Sequence, residues 1–329
     1  MRVFVAGASG AIGRPLVARL LMAGHQVVAM TRSPRAAAQL AEMGAQPVVC
    51  DAFELPALAR ALREARPEAV VHQLTAIPSR VHPRRVAAQL AATNRLRTEG
   101  TRNLLQAARA AGARRLLVQS VAFAYAPRRG GPHTEQEPLY LQAPRAFRPV
   151  IAAVDELERL ATGSPGLTGI VLRYGLFYGP GTIYAPDGSF AADVRRRRVP
   201  LIGGGEGVFS FIQLEDAAAA TVQALERAAP GIYNVVDDDP APMRSWLPHY
   251  AELLGAPPPR RLPRWLGRLA GGPYAIYLCC EQRGASNARA RAALGWAPRH
   301  PSWREGFATL LGRPAAGCGC SAHRVAGTR

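Results

Sequence analysis

The chain has 329 residues, 48% hydrophobic and 19% charged, which fits a globular protein with a sizeable core and excludes a fibrous or wholly disordered one. Its 41 basic residues against 23 acidic ones give a formal net charge of +18, and every basic residue is arginine, because the sequence contains no lysine. A nucleic-acid surface usually mixes Lys with Arg among exposed aromatics, so this excess reads as compositional bias that favours anionic cofactors and substrates, and no nucleic-acid partner is expected. No run reaches the ~20 apolar residues of a membrane span. The start, MRVFVAGASG, leads straight into a glycine loop without a cleavage region, so the expectation is a cytoplasmic protein with no membrane partner.

In chain order, Arg2–Ala6 reads as a short apolar strand. A glycine loop, Gly7-Ala-Ser-Gly10-Ala-Ile-Gly13, follows, then a helix from about Ile12 to Ala23 that stops at Gly24. Glycines let the backbone turn sharply and approach a pyrophosphate, whose charge then sits at the helix N-terminus. Gly7, Ser9, Gly10, Ala11, Ile12 and Gly13 are therefore expected to bind a dinucleotide. The next strand, Gln26–Met30, runs into Thr31-Arg32-Ser33. An acidic residue there would hold the ribose hydroxyls of NAD, whereas Arg32 suits the 2′-phosphate of NADP, with Arg35 nearby. The expected cofactor is thus NADP, with NAD as the alternative should Arg32 be only a surface arginine.

Helix Pro34–Met43, strand Pro47–Cys50, helix Leu55–Ala65 and strand Ala69–Leu74 come next. Asp51 has two readings, an acceptor for the adenine amine or a cap for the helix that follows. Leu74, Thr75 and Ala76 are expected to line the cofactor trough. A long helix, Ala87–Ala111, leads to strand Arg115–Ser120. Strands and helices alternate without a hairpin signal, so the fold class is α/β, a doubly wound parallel sheet covered on both faces.

After Tyr125 the pattern loosens. Ala126–Pro149 reads as a loop, and RAFRPVIAAVDELERL from Arg145 as an amphipathic helix. Strand Gly169–Tyr174 follows, then an irregular stretch over 179–207 that includes Arg195–Arg198, a solvated helix end. Strand Ile232–Val236 should rejoin the sheet. The expected organisation is a Rossmann domain over 1–178, a smaller, mostly helical substrate lobe over 179–311, and a disordered tail over 312–329. Cys50, Cys279, Cys280, Cys318 and Cys320 lack zinc-ribbon spacing, and the Asp237–Asp239 run reads as a turn, so no metal site is expected.

The segments GASGAIG, EGTRNLLQAARAAGARRLLVQSVAFAY, LRYGLFYGPGT, FIQLEDAAAATVQAL and SNARARAALGWAP carry a resemblance. Over roughly residues 1–311 the chain resembles the extended short-chain dehydrogenases/reductases, the NAD-dependent epimerase/dehydratase family. The resemblance implies a nucleotide-binding Rossmann domain with a C-terminal substrate lobe. It also implies a Ser, Tyr and Lys acting together, the Tyr and Lys spaced Tyr-x-x-x-Lys on the helix that begins near Arg145. Ser120 fits the Ser position. The helix holds Pro149, Val150, Ala153 and Val154 at its slots, and with no lysine in the chain the pair has not simply moved.

Sugar-nucleotide members carry an Arg where Phe209 stands before FIQLED. With Phe211, Tyr184 and Tyr178 near in sequence, Phe209 is either a substrate contact in an apolar pocket or core packing. Asp216 is read as a brace for helix Ala217–Leu225. The expected function is an NADP(H)-dependent oxidoreductase that reduces a carbonyl or related centre on an apolar, ring-containing small metabolite. Ser120 would polarise the acceptor oxygen and Tyr125 would donate the proton, with Tyr174 and Tyr178 as next candidates and His133 as a loop alternative. The other readings are a sugar-type epimerase/dehydratase that retains NAD(P), and a non-catalytic NADP sensor. A homodimer through a helical face is common in the group.

Overall fold

Strand β1 (Arg2–Ala6) is buried along almost its whole length, as a central strand covered on both faces must be. Val3 and Val5 face one core cluster, while Phe4 and Ala6 face another on the opposite side of the sheet. Around it lie β2 (Gln26–Thr31), β3 (Gln46–Val49), β4 (Ala69–His72), β5 (Arg115–Val121) and β6 (Thr168–Tyr174). The computed structural model describes residues 1–312. The tail expected over 312–329, with Cys318 and Cys320, lies outside the described residues from 313 onward.

Helices α1 (Gly13–Met22), α2 (Pro34–Glu42) and α3 (Leu55–Ala65) follow the first three strands. The single long helix expected over Ala87–Ala111 is instead broken into α4 (Val86–Gln89), α5 (Ala91–Arg95), a π turn at Leu96–Gly100, and α6 (Thr101–Ala110). The Thr101 hydroxyl donates to the Arg97 carbonyl oxygen at 2.6 Å, so a side chain competes for the carbonyl where the ladder loosens. Helix α7 (Arg148–Thr162) is the amphipathic helix expected after the loop. Strand β7 (Leu176–Tyr178) precedes the stretch read as irregular over 179–207, α8 (Ser189–Arg195) and β8 (Leu201–Ile202) give it some order, and β9 (Val208–Phe209) and β10 (Phe211–Gln213) follow it. After α9 (Leu214–Arg227), strand β11 (Gly231–Val235) pairs with β6 and completes a seven-stranded parallel sheet in the order β11-β6-β5-β4-β1-β2-β3.

The switch in strand order falls between β1 and β4, and the C-terminal ends of all seven strands share one edge. In such a sheet ligands bind outside that edge. A separate aromatic core gathers Tyr178, Tyr184, Phe209 and Phe211 with Trp246 on α10 (Met243–Leu253), the end of α11 (Arg264–Ile276) and α13 (Trp303–Leu310), while α12 (Ala288–Leu294) returns to the core of the sheet. Among the described residues no helix is long and apolar enough to cross a membrane.

Candidate active site

The glycine loop joins β1 to α1. Gly7 has φ +91°, and a Cβ there would lie 2.7 Å from the Gln73 carbonyl oxygen. At Gly13 a Cβ would lie 2.2 Å from the Gly7 carbonyl oxygen. Glycine is therefore what permits this turn and the close approach of β1, β4 and α1. Helix α1 begins with no side-chain cap; the Arg14 amide is taken by the Gly10 carbonyl and Pro15 has no N–H, which leaves the amides of Ala11, Ile12 and Gly13 to face an anion. The Ser9 and Thr31 hydroxyls lie 2.9 Å apart and tie the loop to the end of β2. This cradle fits a dinucleotide pyrophosphate.

Arg32 and Asp51 meet across the ends of β2 and β3, Nη1 to Oδ2 at 3.8 Å. The Arg32 side chain is 67% exposed and loosely held, able to reach a phosphate. Asp51 caps a turn, accepting from the Phe53 amide at 3.0 Å, while Glu54 is the N-cap residue of α3. Past β4, Leu74 is half-buried and Thr75 exposed, and the Ala76 amide donates to the Thr93 hydroxyl at 3.1 Å.

His72, at the end of β4, organises this segment. Its Nδ1 accepts from the Leu74 amide and its Nε2 lies 3.1 Å from the Thr101 hydroxyl. A neutral ring that accepts at Nδ1 must donate from Nε2. Burial drives its pKa down to about 4, the charge of Arg97 adding to the effect and a hydrogen bond to the Leu96 backbone opposing it. The folded pKa thus lies below the unfolded one, so the stability His72 contributes is complete above pH ~6.5 and is lost as pH falls toward 4, by roughly 3 kcal/mol in all. We expect urea unfolding to show wild type losing more stability than His72→Gln between pH 7 and pH 4.5. Asp237, whose pKa burial pushes upward, acts in the opposite direction in both proteins. A constant difference between the two across that range would refute the assignment.

The hydroxyls expected to handle the proton are placed in the interior. Ser120 Oγ donates to Glu158 Oε1 at 2.6 Å and is fully buried. Glu158, on α7, is gripped by Arg173 of β6 through Nε at 2.8 Å and Nη2 at 2.6 Å. Burial works against the Arg173 charge, and the hydrogen bonds and charge of Glu158 overcome it, leaving its pKa raised. The Tyr125 hydroxyl donates to Asn234 Oδ1 at 2.7 Å, and that of Tyr174 lies 2.6 Å from the Thr221 hydroxyl. Burial pushes both phenols up to about 12. Ser120, Tyr125 and Tyr174 thus sit at the correct edge of the sheet with protein partners already in place, an arrangement that does not by itself support the polarising role expected of Ser120 or the proton donation expected of Tyr125 and, next, Tyr174.

Other expectations are corrected. His133, the loop alternative for the proton, is buried: it is 2% exposed, stacked on Tyr125 at 4.6 Å, with Nδ1 3.1 Å from Glu137. Phe211, Tyr184 and Tyr178 build the core of the lobe instead of an open pocket, and Phe209 packs there edge-on to Trp246 at 5.0 Å. Asp216 braces the chain before α13, accepting from the Arg299 and His300 amides, while Gln213 caps α9. In the Asp237–Asp239 turn, Asp238 pairs with Arg291 and Asp239 accepts from Ser302. Among the described residues no cluster of His, Cys, Asp or Glu is placed to hold a metal. Burial lifts the Cys279 thiol to about 12, an unreactive value.

One space adjoins this edge past the end of β5, and a second lies beside α7. A void of about 10 Å³, room for one water, is bounded by Ala122, Tyr125, His133, Leu176, Phe209 and Gln282. A cleft of about 580 Å³ opens beside the N-terminal end of α7, lined by Arg84, Ala146, Trp265, Arg268, Leu269 and Tyr274. The face of α7 with the slots Val150 and Val154 packs with Val121, Phe147, Tyr274 and Tyr277 in one cluster. Tyr274 and Tyr277 reach it from the C-terminal lobe, and no local pattern around them in sequence signals it. Arg97, buried in the π turn, was equally hidden among 41 arginines.

Residues 3–235 match the family model described as the NAD dependent epimerase/dehydratase family. The chain is 51% identical over 309 residues to a 3-diazoavenalumate denitrifying reductase from Streptomyces sp, covering 93% of this chain and 99% of that one. It is 27% identical to a 4-hydroxy-2-methyl-3-oxo-4-farnesyl-3,4-dihydroquinoline-1-oxide ketoreductase from Stigmatella aurantiaca, covering 99% of this chain and 100% of that one. Among solved structures, the Thermus thermophilus UDP-glucose 4-epimerase in complex with NAD aligns with TM-score 0.72 at 26% identity, over 95% of this chain and 98% of that one.

Proposed function

This chain belongs to the NAD-dependent epimerase/dehydratase family and is an NAD(P)-dependent oxidoreductase; from that premise we propose that it is an NADP(H)-dependent reductase of an aryl diazonium group on a small carboxylate. The observation that carries the reading is the state of the groups expected to serve the reaction: apolar Val150 and Val154 stand at the α7 slots, and the hydroxyls of Ser120, Tyr125 and Tyr174 are already bonded within the protein. When bound, the dinucleotide supplies a hydride, and an aryl diazonium that takes it becomes an arene C–H with release of N2, so the protein need find no proton. A neutral diazoalkane or a ketone would need one. The relative at 51% identity, named for reducing a diazo carboxylate with loss of nitrogen, supports the same class.

The residues have separable tasks. The loop Gly7–Gly13 receives the pyrophosphate at the N-terminus of α1. Arg32 pairs with the 2′-phosphate, and Asp51 keeps the turn beside it. Leu74, Thr75 and Ala76 flank the dinucleotide. Ala146, Leu269 and Pro273 give the cleft an apolar wall that keeps water from the reacting carbon, with Phe147, Val150 and Val154 buried in a neighbouring cluster. Trp265 and Tyr274 offer aromatic faces to the substrate ring, and Arg84 and Arg268 offer cations to its carboxylate.

Purified protein, NADPH and 4-diazobenzoate test this directly. The expected result is one benzoate formed per NADPH consumed, with deuterium from a 4-deuterated cofactor appearing on the ring carbon that lost nitrogen. No NADPH consumption, or faster turnover of a panel of aryl ketones, overturns the substrate class. The ketone result would favour the second reading, to which the ketoreductase relative points. For the cofactor, Arg32→Glu is expected to weaken NADPH binding by about 10- to 100-fold, the value of a charge-assisted hydrogen bond of about 1.5–3 kcal/mol, while sparing NADH. Unchanged NADPH affinity would remove the NADP assignment.

A further inference from the structure

Arg97 is 5% exposed, and its Nη1 has no hydrogen-bond partner among the described residues. Desolvation drags its pKa down to about 10, which still leaves it charged at neutral pH. The groups that pull the other way are Tyr274 and then Glu158. Glu158 cannot neutralise it, because its two oxygens are held by Ser120 and Arg173. A buried charge without a partner is costly and rare, and in a folded protein it calls for a ligand or a function.

The surrounding structure holds the charge in place. Arg97 lies in the π turn, an irregularity often found at functional sites. Its carbonyl accepts from Thr101, whose hydroxyl in turn accepts from His72, and His72 accepts from the Leu74 amide of the cofactor trough. The backbone that carries Arg97 is thereby tied to the segment expected to flank the dinucleotide. On the other side, α11 breaks at Gly272, with φ +73° and ψ −177°, just before Pro273 and Tyr274. This kink lays Tyr274 on Phe147, ring centroids 4.3 Å apart, where it lines the cleft and shares a cluster with Val150 and Val154. The π turn that carries Arg97 packs against α7, and Tyr274 of the C-terminal lobe shares the apolar α7 cluster, so a buried cation and a phenol are borne on two segments that meet the same helix, with Tyr274 on the cleft wall and Arg97 behind it, outside the lining residues.

We propose that Arg97, buried and with Nη1 unpartnered beside α7, is a ligand-binding cation and that Tyr274, on the wall of the cleft, is its hydrogen-bonding companion, both acting on oxygen atoms of a ligand that enters between α7 and the cleft. The inference rests on the cofactor reading given above. The oxygens belong either to the sugar of the bound dinucleotide or to the carboxylate of the substrate, and both offer the acceptors a guanidinium needs. Burial raises the Tyr274 pKa further than Arg97 lowers it, so the phenol stays protonated and donates. The pair positions a ligand without supplying a proton, in keeping with a reaction that needs none.

The test uses Arg97→Met, Arg97→Lys and Tyr274→Phe in the full chain. The readouts are the melting midpoint without ligand, the Kd of NADPH by fluorescence, and the Kd of benzoate for the NADP-loaded protein by calorimetry. Removing an unpartnered buried charge should leave the ligand-free midpoint of Arg97→Met equal to or above that of wild type. Its affinity for one probe should fall by about 10- to 100-fold, for NADPH if the oxygens are the cofactor's and for benzoate if they are the substrate's. Arg97→Lys should recover part of the loss, and Tyr274→Phe should weaken the same probe by about 2- to 10-fold. If Arg97→Met binds both probes as wild type does, or melts several degrees lower with both affinities intact, Arg97 is a structural residue and the inference is overturned. Failure of the cofactor reading would appear differently, as absence of NADPH binding in wild type itself.

Discussion

Glu158→Ala is expected to lower folding stability by about 3–5 kcal/mol, the cost of leaving one partner of a buried ion pair alone. The reason is the surroundings of Arg173. It is 3% exposed, its guanidinium lies 4.8 Å from the Tyr125 ring centroid, and Glu158 is the carboxylate it pairs with. Ser120 would lose its acceptor as well. Urea denaturation at pH 7 measures the effect, and the double variant Glu158→Met with Arg173→Met should recover most of it, because no charge is then stranded. A loss below about 1 kcal/mol in Glu158→Ala would mean that water reaches the pair and that its burial is misjudged.

Gly13→Ala is expected to cost on the order of 100-fold in NADPH affinity. An added Cβ would lie 2.2 Å from the Gly7 carbonyl oxygen and 2.6 Å from that of Ala8. Both obstacles are backbone, so relief requires moving the loop away from α1, which takes the pyrophosphate cradle apart. Gly131→Ala is the control, since a Cβ there meets nothing within 4 Å. Equal NADPH affinity in the two variants would show that dinucleotide binding does not depend on this loop.

The stretches legible in the sequence are those where local chemistry and tertiary role coincide. Gly7, Gly10 and Gly13 sit between an apolar strand and a helix, and only a tight turn explains three glycines there. Arg32 and Asp51 follow their strands directly, so the parallel sheet brings them to one edge once its topology is known. The break in the helix over Ala87–Ala111 was not legible, because it arises from the Thr101 hydroxyl competing for the Arg97 carbonyl, and apolar periodicity does not register that competition. The burial of His133 was not legible in a loop rich in Gly and Pro, because besides its neighbours Tyr125 and Glu137 it is held by the Gly284 carbonyl, much further along the chain.

By itself the sequence determined that this chain forms a doubly wound parallel sheet with a glycine-cradled helix N-terminus, and that α7 carries neither Tyr nor Lys at its slots. Both follow from residue types at fixed spacing along one strand or one helix. Only the tertiary structure decided where Ser120, Tyr125 and Tyr174 direct their hydroxyls, and that the π turn of Arg97 and the kinked helix of Tyr274 both pack beside α7. Those outcomes depend on which side chains from remote segments reach the same buried point, where each polar group must find a partner or bear the cost of lacking one.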